Sequence, residues 1–547
     1  MRTKRSATRL MNFKLTPFPN ANGVPSLSPG LPTPQATLGV LLRSSTLKGL
    51  QKIAAGIGPT LSGLRRDWVG LPRVGAARQP WAKGWNAVGV LFFVGTTALC
   101  LFPDCVRANS QPQPNFIVIY GEGSGWASTS VQMDHRNPAS RSSTIHTPNI
   151  ERIAAAGMRF SDGYASSPRC TPSRAALLTG RSPAQLHMTF VGDGRRGLQE
   201  GEFLDSGAKL LTPWPQLELP AETLTIAEYL KRAGYATAHF GKWHLGRVSP
   251  SQHGFDESDG PTGNGGPDNV SSPNPKQALA MTAKGIDFME GQVKAGKPFY
   301  LQLSHYPNQP EKGGGERPSK TADDETAIVD QTLGQLLDAV ARLGLGANTY
   351  IIYTTDHGTP GRNSPLTGGK GTVWEGGLRV PFIVAGPGVK AGACSHVRVT
   401  ATDLFPTLVE LAGVKETFPQ GTEGGSFASV LKNGGAGGVQ RPREEFVVHF
   451  PHYDKDAQGP ASVIYVGDSK LIHVYESGAL KLFNLASDPG ERHDLASQQP
   501  DKAKELDARL MAYLKAMNAQ LPKPNPDYDP SKASEIRRQG RKRKANP

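Results

Sequence analysis

From residue 113 onward, short apolar runs alternate with longer stretches in which apolar residues return every three or four positions. The runs at 116–120 (FIVIY), 236–240 (ATAHF), 299–303 (FYLQL), 350–354 (YIIYT) and 381–385 (PFIVA) predict strands covered on both faces. The stretches at 150–156, 224–233 and 327–343 predict amphipathic helices, the last with Ile328, Leu333, Leu336 and Leu337 at helical spacing. Such alternation predicts an α/β fold with a mostly parallel central sheet and helices on both faces, here assigned to residues 109–435. Residues 462–466 and 470–475 predict part of an antiparallel sheet and residues near 502–517 a helix, giving a smaller C-terminal α+β domain at 440–525.

In open parallel sheets, ligands sit beyond the carboxyl ends of the strands. Four of the five runs deliver titratable residues there. Glu122 follows the first, Lys242 and His244 the second, His305 the third, and Asp356 with His357 the fourth. One such residue is an ordinary surface group. Four on one edge mark a site.

The first hundred residues read differently. Residues 1–85 are rich in Pro, Gly, Ser and Arg without an apolar period and predict a disordered or over-extended basic segment. An apolar run at 87–102 follows Arg78 and Lys83 and precedes Val106-Arg107-Ala108, which offers a small residue for signal-peptidase cleavage. Residues 86–108 therefore predict an export signal and a periplasmic or extracellular protein. The run is shorter than the roughly 20 residues a spanning helix needs, so only an uncleaved anchor would hold the chain to a membrane.

The net charge of +14 is concentrated at the ends of the 547 residues. Residues 1–85 hold 13 Lys/Arg against Asp67, and residues 531–547 hold 7 against Glu535, which leaves −4 for residues 109–530. A mildly acidic body gives no reason to expect a nucleic-acid partner. The basic segment 526–547 predicts a solvated tail. Apolar residues at 37% suffice for a large core, while four cysteines exclude a disulfide-built scaffold.

Cleavage after Ala108 would leave Cys170 and Cys394. The two could pair, but Cys170-Thr171-Pro172-Ser173-Arg174 opens a helical run that Gly180 ends. A cysteine in that place meets unpaired N–H groups and the positive end of the helix dipole, which favour an anion. Two chemistries fit: a thiolate nucleophile of lowered pKa, or an oxidised, aldehyde-bearing side chain whose hydrate attacks sulfur or phosphorus.

The C-x-P-S-R pattern at 170–174, followed by AALLTGR, resembles the signature of the type I sulfatases of the alkaline-phosphatase-like superfamily. Further segments match in family order: Thr147-Pro148-Asn149, Gly241-Lys242-Trp243-His244-Leu245-Gly246, Asp356-His357-Gly358, Gly368-Gly369-Lys370-Gly371 and Asp403-Leu404-Phe405-Pro406-Thr407. The resemblance covers about 113–525. It implies that a formylglycine-generating enzyme converts Cys170, and that the hydrated aldehyde attacks a sulfate ester, expels the alcohol and later releases sulfate. It further implies that Arg174 and Lys242 hold the formylglycine oxygens and that Lys370 neutralises the sulfate and the leaving oxygen. His244 would promote collapse of the covalent intermediate, and His305 would protonate the leaving group. A divalent cation, usually calcium in this family, would lie among Glu122, Asp356, His357 and residue 170.

One departure stands out. Two adjacent aspartates normally follow the first strand, whereas Glu122 and Gly123 occupy those positions here, and His357 stands where asparagine is common. Calcium usually takes six to eight oxygens, so the lost carboxylate weakens such a site, and imidazole suits Zn²⁺ or Mn²⁺ better. Two alternatives stay open: a phosphate or phosphonate ester hydrolase of the same superfamily, or a sulfated-glycan binder with weakened hydrolysis. Arg379 and Glu375 read as a structural pair, His449, His452, Asp256 and Asn308 carry no assigned role, and the loops 188–218 and 253–277 are expected to shape the substrate pocket.

Overall fold

The apolar run at 116–120 becomes strand β1 (Asn115–Gly121), buried along its whole length. The protein is described by a computed structural model over residues 113–192, 208–264, 275–306, 322–361 and 363–531. The basic N-terminal segment, the export signal, Asn308 and nearly all of the basic tail lie outside those residues.

After β1 come α1 (Pro148–Ala156), β2 (Met158–Phe160), α2 (Cys170–Thr179), α3 (Ile226–Arg232), β3 (Ala236–Gly241), β4 (Glu257–Ser258) and α4 (Pro275–Ala295). The series continues with β5 (Phe299–Ser304), α5 (Ala322–Arg342), β6 (Thr349–Thr355), β7 (Phe382–Ala385), β8 (Ala393–Ser395) and α6 (Leu404–Leu411). The eight strands form one sheet in the order β8-β2-β7-β6-β1-β5-β3-β4. β1 pairs in parallel with both β5 and β6, and β3 in parallel with β5 and β4.

Alternation along β1 explains the two helical layers. Phe116, Val118 and Tyr120 pack with Leu177 and Leu178 of α2, Leu230 of α3, and Leu404 and Leu408 of α6. Ile117 and Ile119 face the other way, against Ile150 and Ile153 of α1, Phe288 and Met289 of α4, and Leu333 and Leu336 of α5. Each fully buried side chain of this size contributes roughly 1.5–3 kcal/mol of transfer free energy. The expected doubly covered α/β sheet is present.

Two details differ from the expectation. β7 runs antiparallel to both neighbours, β6 and β2, so Gly386 and Pro387 leave the sheet at the edge opposite Glu122. A five-residue apolar run reports burial, and burial is the same in either direction. The helix α4 has no clear signal in the apolar pattern, because Gly285, Gly291 and scattered lysines dilute its apolar face; Met281, Phe288 and Met289 are nonetheless buried.

The C-terminal domain is a four-stranded antiparallel meander of β9 (Phe446–Phe450), β10 (Ala461–Val466), β11 (Ser469–Val474) and β12 (Ala479–Asn484), with α7 (Pro500–Ala516) after it. Leu506, Leu510 and Leu514 of α7 pack on Ile464, Leu471 and Leu482. The opposite face, with Val448, Val463 and Ile472, meets Tyr164, Val373 and Leu378 of the large domain.

A knot of buried charge lies in that seam. Lys470 Nζ stands 3.1 Å from Glu375 Oε1 and 2.5 Å from Glu491 Oε1, and it donates to the Val373 carbonyl at 3.0 Å. Arg379 Nε donates to Glu375 Oε2 at 2.8 Å, and the hydroxyls of Tyr164 and Tyr465 donate to the same carboxylate at 2.7 and 2.9 Å. The expected Glu375–Arg379 pair is therefore half of a larger clamp. Among the described residues, no helix is long and apolar enough to cross a membrane.

Candidate active site

The registers of β3, β5, β1 and β6 place Gly241, Ser304, Gly121 and Thr355 on one edge of the sheet. The next residues are the expected Lys242, His305, Glu122 and Asp356. Facing them is the N-terminus of α2. Arg169 enters it in extended conformation, Cys170 is its first residue, and no side chain caps the first turn. At the other end Gly180 takes φ +65°, and its N–H donates to the Ala176 carbonyl at 2.9 Å. Glycine adopts that left-handed turn at no steric cost.

Cys170 is 3% exposed, with Sγ 3.2 Å from His357 Nε2 and 3.4 Å from Glu122 Oε1. Glu122 accepts from three cations: Lys242 Nζ at 2.8 Å, Lys370 Nζ at 3.0 Å and Arg174 Nη2 at 3.1 Å. Asp356 accepts from Arg174 Nη2 at 2.9 Å and from the Gly123 N–H at 3.1 Å, and its Oδ1 lies 3.3 Å from His357 Nε2. Arg174 also donates to the Lys242 carbonyl at 2.8 Å and lies over the Tyr120 ring. Lys242 is fully buried, while Lys370 keeps a partly exposed flank.

Two carboxylates thus stand against three permanent cations, and proton affinities follow. Burial works against the charged form of Glu122, yet Lys242, Lys370 and His357 hold its carboxyl well below the usual carboxylate range. Burial and Glu122 push the Cys170 thiol up, but Lys242, Lys370 and His357 outweigh them and bring it well down. Burial and the neighbouring Glu122 raise Asp356 to about 6. Burial pulls His357 down, and Asp356 more than reverses that, leaving about 9. An anion at residue 170 is what this field favours.

His244 sits at φ +60°, a left-handed position unusual outside glycine. Its N–H donates to the Thr262 carbonyl at 2.8 Å, and its carbonyl accepts from the Thr171 hydroxyl at 2.8 Å, tying it to the residue after Cys170. His305 is buried behind the cluster. Thr332 donates its own proton to the Val329 carbonyl, so at 2.9 Å it accepts from His305 Nε2–H. Burial first, and then Arg174, lower His305 to about 4, which leaves a neutral ring at neutral pH. A proton-donating role would therefore need added negative charge nearby.

Gly123 takes φ +66°, and a Cβ there would stand 3.2 Å from His357 Cε1. The imidazole therefore stands against the space a side chain at 123 would enter. The ligand atoms of Glu122, Cys170, Asp356 and His357 lie within 4.8 Å of one another, and all four residues are buried. Two carboxylates and a ring nitrogen fit a divalent cation, though they offer fewer oxygens than calcium usually takes.

Other positions prove structural. Asp256 pairs with Lys231 at 2.6 Å and accepts from the Thr237 N–H. His449 is held by Ser462 Oγ and the Gln520 carbonyl, and His452 by Thr189 Oγ1 at 2.7 Å. The expected loops are described only in part, 193–207 and 265–274 being outside the described residues. Sequence reasoning missed the Arg169–Asp454 pair beside Cys170, with Arg169 Nε donating to Asp454 Oδ2 at 2.6 Å. It missed Lys470 and Glu491 too; no local pattern announces any of them. Cys170 and Cys394 are both free.

The sulfatase family profile matches residues 114–414, and the profile of the N-sulphoglucosamine sulphohydrolase C-terminal region matches 369–520. The N-acetylgalactosamine-6-sulfatase of Canis lupus familiaris is 30% identical over 379 residues, covering 61% of this chain and 67% of that protein. Human arylsulfatase A is 29% identical over 481 residues, covering 75% and 88%. The crystal structure of Ps i-CgsB in complex with k-i-k-neocarrahexaose is similar in fold, with a TM-score of 0.58 and 24% identity, covering 74% of this chain and 93% of that one. With its fold, its cation-lined edge and these matches in agreement, the chain belongs to the sulfatase family, as a type I sulfatase and a sulfuric ester hydrolase.

Proposed function

We propose that the protein is an exported sulfatase that cleaves sulfate esters of sugars with a formylglycine formed from Cys170. The observation that carries this reading is the placement of Cys170: first residue of a buried helix, within reach of Glu122 and His357, in a field made positive by Lys242, Lys370 and Arg174. The thiol sulfur marks where the oxygens of a modified side chain would stand. A hydrated aldehyde there would supply a nucleophilic hydroxyl on a carbon that can return to the carbonyl, which a serine cannot do.

The chain's own groups then have definite tasks. Lys370, partly exposed at the mouth, meets the sulfate oxygens and offsets charge on the leaving oxygen; Lys242 and Arg174, buried deeper, hold the oxygens of residue 170. Beyond Lys370 opens a hollow of about 480 Å³ whose lining includes Lys455 and Arg492, a further attraction for anionic substrate. His244, whose backbone is tied to Thr171 and Thr262, would move a proton at residue 170. Arrival of a sulfate supplies the negative charge that lets the neutral His305 take up a proton and pass it to the leaving alcohol. Glu122, Asp356, His357 and an oxygen of residue 170 would hold a divalent cation, whose contribution is further positive charge; calcium would need additional oxygens from outside these side chains.

Sugar sulfates are favoured over other esters by what the relatives are named for, namely an N-acetylgalactosamine-6-sulfatase and a protein crystallised with a carrahexaose. Export rests on the apolar run at 87–102 and the small-residue site after it. The test is peptide mass spectrometry across Cys170 in protein made in its own host, joined to turnover of paired sulfate and phosphate esters. We expect the mass of the aldehyde, preference for sulfate, and no turnover in Cys170→Ala. An active protein with an unmodified thiol would refute the reading, as would equal or better turnover of the phosphate ester.

A further inference from the structure

A second set of metal-binding side chains stands apart from the catalytic edge. β8 is the border strand of the central sheet. Cys394 and His396 are two residues apart on it and just after it, so their side chains share a face. His135 comes to them from the loop after β1. The rings of His135 and His396 are 5.0 Å apart between centroids, and the ligand atoms of His135, Cys394 and His396 lie within 4.8 Å of one another.

We propose that His135, Cys394 and His396 form a second metal site, which takes a d-block divalent cation such as Zn²⁺ and completes its shell with water. One sulfur and two ring nitrogens are a donor set for zinc or its neighbours and a poor one for calcium or magnesium. Donors around a tetrahedral zinc are separated by roughly 3.3–3.7 Å, given metal–nitrogen and metal–sulfur bonds of about 2.0–2.3 Å. Closing from 4.8 Å asks for side-chain rotation at the exposed His135, while His396 keeps its bond to Ser161.

The supports are already in place. Ser161 Oγ donates to Asp162 Oδ2 at 2.6 Å, so at 2.7 Å it accepts from His396 Nδ1–H. That fixes the tautomer and leaves the Nε2 lone pair for a metal, the carboxylate-backed arrangement usual behind ligating histidines. Cys394 Sγ lies 3.6 Å from the Met133 carbonyl, which ties the strand to the His135 loop. In that loop Gln132 Nε2 donates to the His135 carbonyl at 3.2 Å, and Ser140 Oγ accepts from the Asp134 N–H at 3.0 Å. Arg136, the cation of the same loop, is matched by both oxygens of Asp134 at 3.0 and 2.9 Å. Binding would release the Cys394 thiol proton to solvent.

The experiment is a Co²⁺ titration of the full chain in a Cys170→Ala background, which silences the thiol of the catalytic cluster. We expect a thiolate-to-metal charge-transfer absorption that saturates at one ion and is lost in both Cys170→Ala/Cys394→Ala and Cys170→Ala/His135→Ala. The exposed His135 provides a variant that should fold normally. Ser161→Ala should weaken binding by about 10–100-fold without abolishing it. A spectrum unchanged by loss of Cys394 or His135, or no charge-transfer band at all, would overturn the proposal.

Discussion

Two buried clusters of charge, one at the sheet edge and one in the domain seam, are made from the same residue types and do opposite work. In the seam, Lys470 and Arg379 face Glu375 and Glu491, and two tyrosine hydroxyls fill the remaining acceptor positions. Its lining is protein on every side. At the edge, Lys242, Lys370 and Arg174 converge on Glu122 and Asp356, so cations are in excess and one of them is partly open to solvent. A closed, nearly balanced cluster holds two domains together; an unbalanced one with an opening waits for an anion. What separates them is net charge and access, since burial is common to both.

The contrast can be broken first at Lys470. Lys470→Met strands the buried Glu491 and leaves Glu375 with Arg379 and two tyrosine hydroxyls, and should cost about 3–5 kcal/mol of stability in urea unfolding. The matching change at the edge, Lys242→Ala, leaves Glu122 with two other cations and should cost well under half of that. It should instead lower kcat by about 10²–10³. Similar stability losses in the two variants would remove the distinction.

A finer test uses Glu491. Burial raises it, Lys470 resists and Glu375 adds to the rise, leaving about 7 against an ordinary 4.5. A carboxyl raised on folding contributes stability that is complete below about 4.5 and is lost as pH rises through about 7. Unfolding measured across that window should show a decline of about 3 kcal/mol, flattened in Glu491→Gln. An equal slope in both proteins would assign the titration elsewhere.

Much of the edge was legible in the sequence because strand ends carry their polar residue at a fixed place, one step after an apolar run. Glu122, Lys242, His305 and Asp356 could be put on one edge that way, and the Cys170 helix by its start and stop signals. The convergence of three cations on Glu122 was not legible, since contacts between residues 120 and 248 positions apart depend on register and crossover order. The direction of β7 was hidden for the same reason. Lys470 and Glu491 sit in a strand and a turn with nothing local to say that their charges are buried. His135, Cys394 and His396 come from segments about 260 residues apart, and only the folded sheet brings them together.

The fit between Gly123 and His357 also constrains how this catalytic edge can change over generations. An aspartate restored at 123 alone would press its Cβ on the imidazole and would have to hold a left-handed backbone. An asparagine restored at 357 alone would leave a gap where the ring had been. A replacement at either position alone therefore disturbs the packing between the two, and the glycine and the imidazole answer to change as one unit.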